Sequence, residues 1–113
     1  MQKHSLDALA RELLQAAGRS PAGRSATTVV GGHEHVLRQT LVALTSGAVL
    51  SDHENPGEAT VYVVNGRVEL TVDEDSWEAR TGDLLEIPPA RHGLRAIEDS
   101  AVLLTAVPRS HAN

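Results

Sequence analysis

Residues 47–66 read Gly-Ala-Val-Leu-Ser-Asp-His-Glu-Asn-Pro-Gly-Glu-Ala-Thr-Val-Tyr-Val-Val-Asn-Gly, and residues 82–92 read Gly-Asp-Leu-Leu-Glu-Ile-Pro-Pro-Ala-Arg-His. Thr60 to Val64 is apolar at every second position on both faces, the pattern of a strand with neighbours on either side. Asn65-Gly66 is the sharpest turn signal in the chain and predicts a tight hairpin with positive φ at Gly66. In the second stretch, Leu84 to Ile87 is a short strand that starts after Thr81-Gly82-Asp83 and is stopped by Pro88-Pro89. The two prolines stiffen the loop that presents His92. Only residues 67–81 separate the stretches. There Val68, Leu70 and Val72 alternate with Arg67, Glu69 and Thr71, as a half-buried strand requires. A polar turn at Asp73 to Ser76 and a short strand at Trp77 to Arg80 follow.

Working outward, Ala101 to Val107 predicts a last buried strand before Pro108, and His35 to Thr45 a first one. Ser5 to Gly18 reads as a helix, with Leu6, Leu9, Ala10, Leu13, Leu14 and Ala17 on one face, Ser5 as N-cap and Gly18 as the stop. Arg19 to Ser25 has the Ser, Pro, Gly and Arg content of a linker. The expected organisation is one domain: residues 1–20 an accessory helix, 21–34 a linker and strand entry, and 35–108 an all-β barrel.

Composition narrows the function. Of 113 residues, 28 are Val, Leu or Ile, so a packed core is available without staples, and Tyr62 and Trp77 are the only aromatics. Base-stacking platforms are therefore missing, and a net charge of −5 argues against nucleic acid or an anionic membrane as partner. The absence of Cys excludes thiol catalysis, disulfides and thiolate-bound metals. No apolar run approaches a membrane span, and the first residues lack a continuous secretory core, which makes the cytoplasm the expected address.

Taken together, the Gly/His/Gly frame of residues 47–66 and the Gly-Asp, Ile-Pro-Pro and His of residues 82–92 resemble the two sequence motifs of the cupin superfamily, over about residues 36–107. The resemblance implies a single-domain jelly roll (a double-stranded β-helix barrel), usually dimeric and often holding a metal. Its typical ligands are two His from His-x-His, one Glu, and one His from the second motif. Counted back from Gly66, the first His position is His53, the second is Asn55, and the Glu position is Ala59. Glu58 is one residue off and is predicted to face the other way. His92 is the second-motif His, one residue closer to the proline than usual.

Two of four ligands therefore remain. Further imidazoles are available at His33 and His35, a second His-x-His, which would serve a divalent transition metal (Zn, Ni, Fe or Cu) if that strand lines the barrel mouth. Otherwise they face solvent or a dimer interface. Of Arg38 and Gln39, only one can face inward, and an inward Arg38 would hold a carboxylate. The candidate ligand-contacting set is His53, Asn55, Tyr62, His92 and Arg38. The candidate metal set is His53, His92, His33 and His35. Three readings follow. The first is a homodimeric barrel that binds a small polar molecule in a regulatory or stress-accessory role. The second is a metal-dependent oxygenase or isomerase on the His-rich set. The third is a dimerisation module whose helix, Leu6 to Leu14, engages a partner, with the barrel staying folded when residues 1–20 are removed.

Overall fold

A computed structural model describes residues 1–53 and 57–108, with the side chains of Asp52 and His53 outside that description. One helix and nine strands appear in the order α1 (Leu6–Arg19), β1 (Arg24–Val30), β2 (Arg38–Leu44), β3 (Val49–His53), β4 (Gly57–Asn65), β5 (Arg67–Val72), β6 (Asp75–Arg80), β7 (Leu84–Ile87), β8 (His92–Ala96) and β9 (Ser100–Pro108). The strands form two antiparallel sheets, a five-stranded one ordered β1-β2-β9-β4-β7 and a four-stranded one ordered β3-β8-β5-β6. The all-β jelly-roll expectation holds.

The strand registers arrange the interior in rows. On the five-stranded sheet, Arg38, Ala106, Ala59 and Ile87 lie side by side, then Thr40, Leu104, Val61 and Leu85, then Val42, Val102 and Val63. On the four-stranded sheet the rows are His92, Val72 and Asp75, then Leu50, Leu94, Leu70 and Trp77, then Ala96, Val68 and Ala79. The middle and last rows make one aliphatic core, in which Leu44, Val63, Val68, Val102 and Leu70 are essentially solvent-free. Burial of each such side chain stabilises the fold by roughly 1.5–3 kcal/mol. Polar groups enter the interior mainly in the first row of each sheet. That row lies at the end from which the loops 31–37, 73–74 and 88–91 emerge.

The two sheets differ on their outer faces. The four-stranded sheet presents Arg67, Glu69, Glu78, Arg80 and Arg95 outward, with Arg95 3.2 Å from Glu69, and it is a water-facing surface. The five-stranded sheet carries an apolar cluster on its outer face as well. There α1 lays Leu6, Leu9, Ala10 and Leu13 over Leu41, Ala101, Val29, Val64 and Leu103. Ser5 caps the helix by accepting from the Ala8 N–H at 3.3 Å, and Arg19 stands in the last turn, where its charge suits the helix dipole. The helix runs through Gly18 and stops at Arg19, with Ser20 as C-cap donating its N–H to the Ala17 carbonyl, so Gly18 is not the stop.

Three further expectations are corrected. The segment read as a linker contains β1, whose Ala26, Thr27 and Thr28 pair with β2, so residues 21–34 belong to the barrel. The first predicted strand begins at Arg38, not His35. Gly66 has φ +102 as expected, but Asn65-Gly66 is no hairpin: β4 and β5 lie in different sheets, and Gly66 is a corner between them. Gly82, at φ +92, makes the return corner from β6 to β7.

Candidate functional site

Among the described residues, His92 is the buried ionisable residue of the interior, with 7% of its surface exposed. Pro88 to Arg91 delivers it. The Ala90 N–H donates to the Pro88 carbonyl at 2.7 Å, which folds the loop back on itself. His92 Nδ1 then lies 3.1 Å from the Ala90 carbonyl oxygen. A carbonyl can only accept, so Nδ1 carries a proton and donates to it. The loop therefore fixes the orientation of His92.

His53 is the backbone partner of His92 across β3 and β8, after a register shift between Leu50 and His53. The two motifs do not form facing halves with these residues opposed across the lumen: the two residues are backbone neighbours in one sheet, and each motif contributes a strand to both sheets. Asn55 lies outside the described residues. Ala59, where the resemblance expects Glu, is in the inner first row and packs against the core, while Glu58 is exposed on the outer face. Arg38 shares the inner first row with Ala106 and Ala59 and is exposed at the mouth. Gln39 belongs to the outer face, where its Nε2 donates to Thr105 Oγ1 at 3.1 Å. Alternation thus resolves that pair in favour of Arg38.

Tyr62 is corrected. It is in register with Leu103 and Leu84 on the outer face and is 38% exposed, so its side chain stands outside the barrel. His33 and His35 are likewise not on a strand. They occupy the exposed loop 31–37, where the His35 N–H donates to the Gly32 carbonyl at 3.2 Å. Topology brings this loop to the same end of the barrel as His92, but the two imidazoles are solvated while His92 is buried.

Among the described residues, no three His, Asp or Glu side chains gather closely enough to hold a metal ion. Ala59 offers no ligand where the resemblance expects Glu, and His33 and His35 are exposed. A groove of about 920 Å³ is lined by Glu58, Thr60, Glu86 and Thr105 and reaches Ala59 and Ile87 of the first row and Pro89 of the 88–91 loop, but His92 is not part of it. A smaller cavity of about 330 Å³ sits between Leu70, Trp77, Leu85, Glu86 and Pro88. Sequence reasoning treated Trp77 only as a strand residue. Its one signal was its place two residues before Ala79, with the same parity and hence on the inner face.

The cupin domain family model matches residues 40–108. No curated protein matches the chain. Among solved structures, the chain is similar to a conserved protein of unknown function from Streptococcus pyogenes, SPY1581, at 26% identity and TM-score 0.71, over 80% of this chain and 79% of that one. It is similar to an RmlC-like cupin protein from Desulfovibrio desulfuricans at 27% identity and TM-score 0.65, over 76% and 84%. It is also similar to KdgF from Halomonas sp., at 26% identity and TM-score 0.65, over 80% and 84%.

Proposed function

The chain belongs to the cupin domain family, and from that premise we propose that it binds a small polar molecule at the first-row end of its barrel, as a cytoplasmic homodimer with an accessory or regulatory role. The observation that carries the reading is the buried His92, whose Nδ1 is tied to the Ala90 carbonyl while the rest of the described interior beneath it is aliphatic. The imidazole is a polar group that a ligand hydroxyl can engage, and Arg38, on the inner first row of the facing sheet, supplies a cation for a carboxylate. A small hydroxy acid satisfies both. Fold alone does not choose among binding, catalysis and scaffolding, so the test is chemical.

A thermal-shift screen of small acids and sugars should return a hydroxy acid that raises the melting temperature. His92→Leu should weaken the hit by about thirtyfold, the two or so kcal/mol of a hydrogen bond left unmade in a buried site. Arg38→Gln should weaken carboxylates selectively. Full binding by both variants would place the ligand elsewhere. The divalent-metal reading (Zn, Ni, Fe or Cu) rests on the backbone pairing of His53 with His92. Elemental analysis of untagged protein decides it: near-stoichiometric metal that disappears in His53→Ala would replace the metal-free reading.

The homodimer reading is supported by the contrast between the outer faces. Next to the part of the five-stranded sheet covered by α1, Leu84 is 60% exposed and neighbours Tyr62 in register. A second copy on this face would bury both. Light scattering across a concentration range should give twice the chain mass, and Leu84→Glu should give a folded monomer, since the new carboxylate is desolvated only in the dimer. A parent protein that is monomeric throughout ends this part of the reading.

A further inference from the structure

The seam between the two sheets holds an opening that the chain's own core does not fill. β6 is the last strand of one sheet and β7 the last of the other, and the chain crosses between them at the corner formed by residues 81–83. That corner is pinned to β4: the Gly82 N–H donates to the Val63 carbonyl at 2.8 Å and the Val63 N–H to the Asp83 carbonyl at 2.9 Å. Close to the corner the seam is shut, and Ala79, on the inner face of β6, is 3% exposed. Two residues further along the same face, Trp77 is 47% exposed. The edge strands have parted by then, and Leu70, Trp77, Leu85 and Pro88 line a cavity of about 330 Å³ between them.

A large aromatic on the inward side of a strand is normally covered. Trp77 is in register with the buried Leu70, yet nothing of this chain covers it. The sequence has no Phe, and its single Tyr stands on the outer face of β4. Glu86 also borders the cavity. Strand alternation, however, turns its side chain to the outer face with Leu84 and leaves Leu85 as the inward residue of that wall. The described side chains that face the opening are therefore all apolar. A charged ligand would give up its hydration there without finding a partner. A neutral aromatic ligand gains by leaving water and can stack on the indole. The volume is at the lower end of small-molecule sites and, at about 30 Å³ for each water-sized group, gives room for one or two rings.

We propose that the β6–β7 seam is a second binding site, which takes a neutral, apolar aromatic molecule of one or two rings, packed on Trp77 and held between Leu70, Leu85 and Pro88. Burial of apolar surface supplies the affinity, and the want of a polar partner among these side chains supplies the selectivity. The site is separate from the barrel mouth: its floor belongs to the middle row, and neither His92 nor Arg38 lines it. The two sites ask for opposite ligand chemistry, so either assignment stands or falls without the other.

Trp77 is the only tryptophan of the chain, and its emission, excited at the red edge of indole absorption, reports on the seam directly. The full-length protein is titrated with toluene, with phenol as its hydroxyl isostere and benzoate as its charged counterpart. Toluene should give a saturable emission shift with Kd near or below about 1 mM, phenol about tenfold weaker binding, and benzoate none. Leu85→Phe, which fills the cavity from the β7 side, should abolish the toluene shift with the far-UV spectrum kept. Leu85→Ala, which enlarges the cavity, should raise the affinity for naphthalene relative to toluene about fivefold, and it keeps the test decisive if the larger side chain prevents folding. Absence of a saturable toluene shift, phenol or benzoate binding as tightly as toluene, parental affinity in folded Leu85→Phe, or an unchanged naphthalene preference in Leu85→Ala would each overturn the assignment. So would an emission that moves with protein concentration and not with toluene, which would give the opening to a second copy of the chain.

Discussion

Replacing Gly66 with alanine is expected to remove about 4 kcal/mol or more of stability, against about 1–2 kcal/mol for Gly82→Ala. Both residues have positive φ, +102 and +92, so both substitutions carry the penalty of a left-handed L-residue. They differ in surroundings. An added Cβ at Gly66 would lie 2.5 Å from the Asp99 carbonyl oxygen and 2.7 Å from Ser100 Cα, and would overlap Ser100 Oγ, whereas at Gly82 nothing stands within 4 Å. Nor can the corner yield. The Gly66 N–H donates to Thr81 Oγ1 at 2.9 Å and its carbonyl accepts from the Thr81 N–H at 3.0 Å. On the other side, the fully buried Ser100 hydroxyl accepts from the Arg67 N–H at 2.9 Å and donates to the Glu98 carbonyl at 2.7 Å. Urea unfolding of the two variants checks the difference. Equal losses would mean that only backbone conformation, and not the close approach of β9, demands glycine at 66.

That corner also shows what local sequence can and cannot convey. Asn65-Gly66 announces a positive φ because only a residue without Cβ tolerates it. It does not announce which sheet receives the next strand, so the hairpin expectation failed where the conformational one held. β5 and β7 were readable because each has one wet and one dry face and stops at a turn. β1 was not: its Ser, Ala and Thr residues are small and polar, and it becomes a strand by pairing with β2. β8, His-Gly-Leu-Arg-Ala, hides in the same way, since its strand character comes from lying between β3 and β5. At the site, His92 stood out as an imidazole after a rigid Pro-Pro turn. The Ala90 carbonyl that orients it is a backbone group and carries no side-chain signal. Tyr62 misled because β4 is apolar on both faces. The second apolar face is the outer one, which continues the surface under α1, so an aromatic on this strand need not face the lumen.

Removing residues 1–20 is expected to cost the barrel its solubility, contrary to the idea of a detachable helix. Leu41 and Ala101 have no exposure in the intact chain, and α1 is what covers them on the outer face, together with parts of Val29, Val64 and Leu103. From the helix side, Leu6, Leu9 and Leu13 lose the same contact. At roughly 1.5–3 kcal/mol for each large aliphatic side chain, even partial exposure of these residues consumes much of the 5–15 kcal/mol by which a domain of this size is stable. The uncovered patch would join Tyr62 and Leu84 into one apolar surface, an aggregation site. Residues 21–113 should therefore sediment as aggregate or melt more than about 15 °C below the full chain. The finer variant Leu13→Ala, which keeps the helix, should lower stability by about 2 kcal/mol and leave the protein soluble. The site would feel the truncation as well, because β2 and β9, which lie under the helix, carry Arg38 and Ala106 of the first row. A soluble 21–113 fragment melting within a few degrees of the parent would show that the strands carry the fold alone, and would return α1 to the role of a partner-engaging appendage.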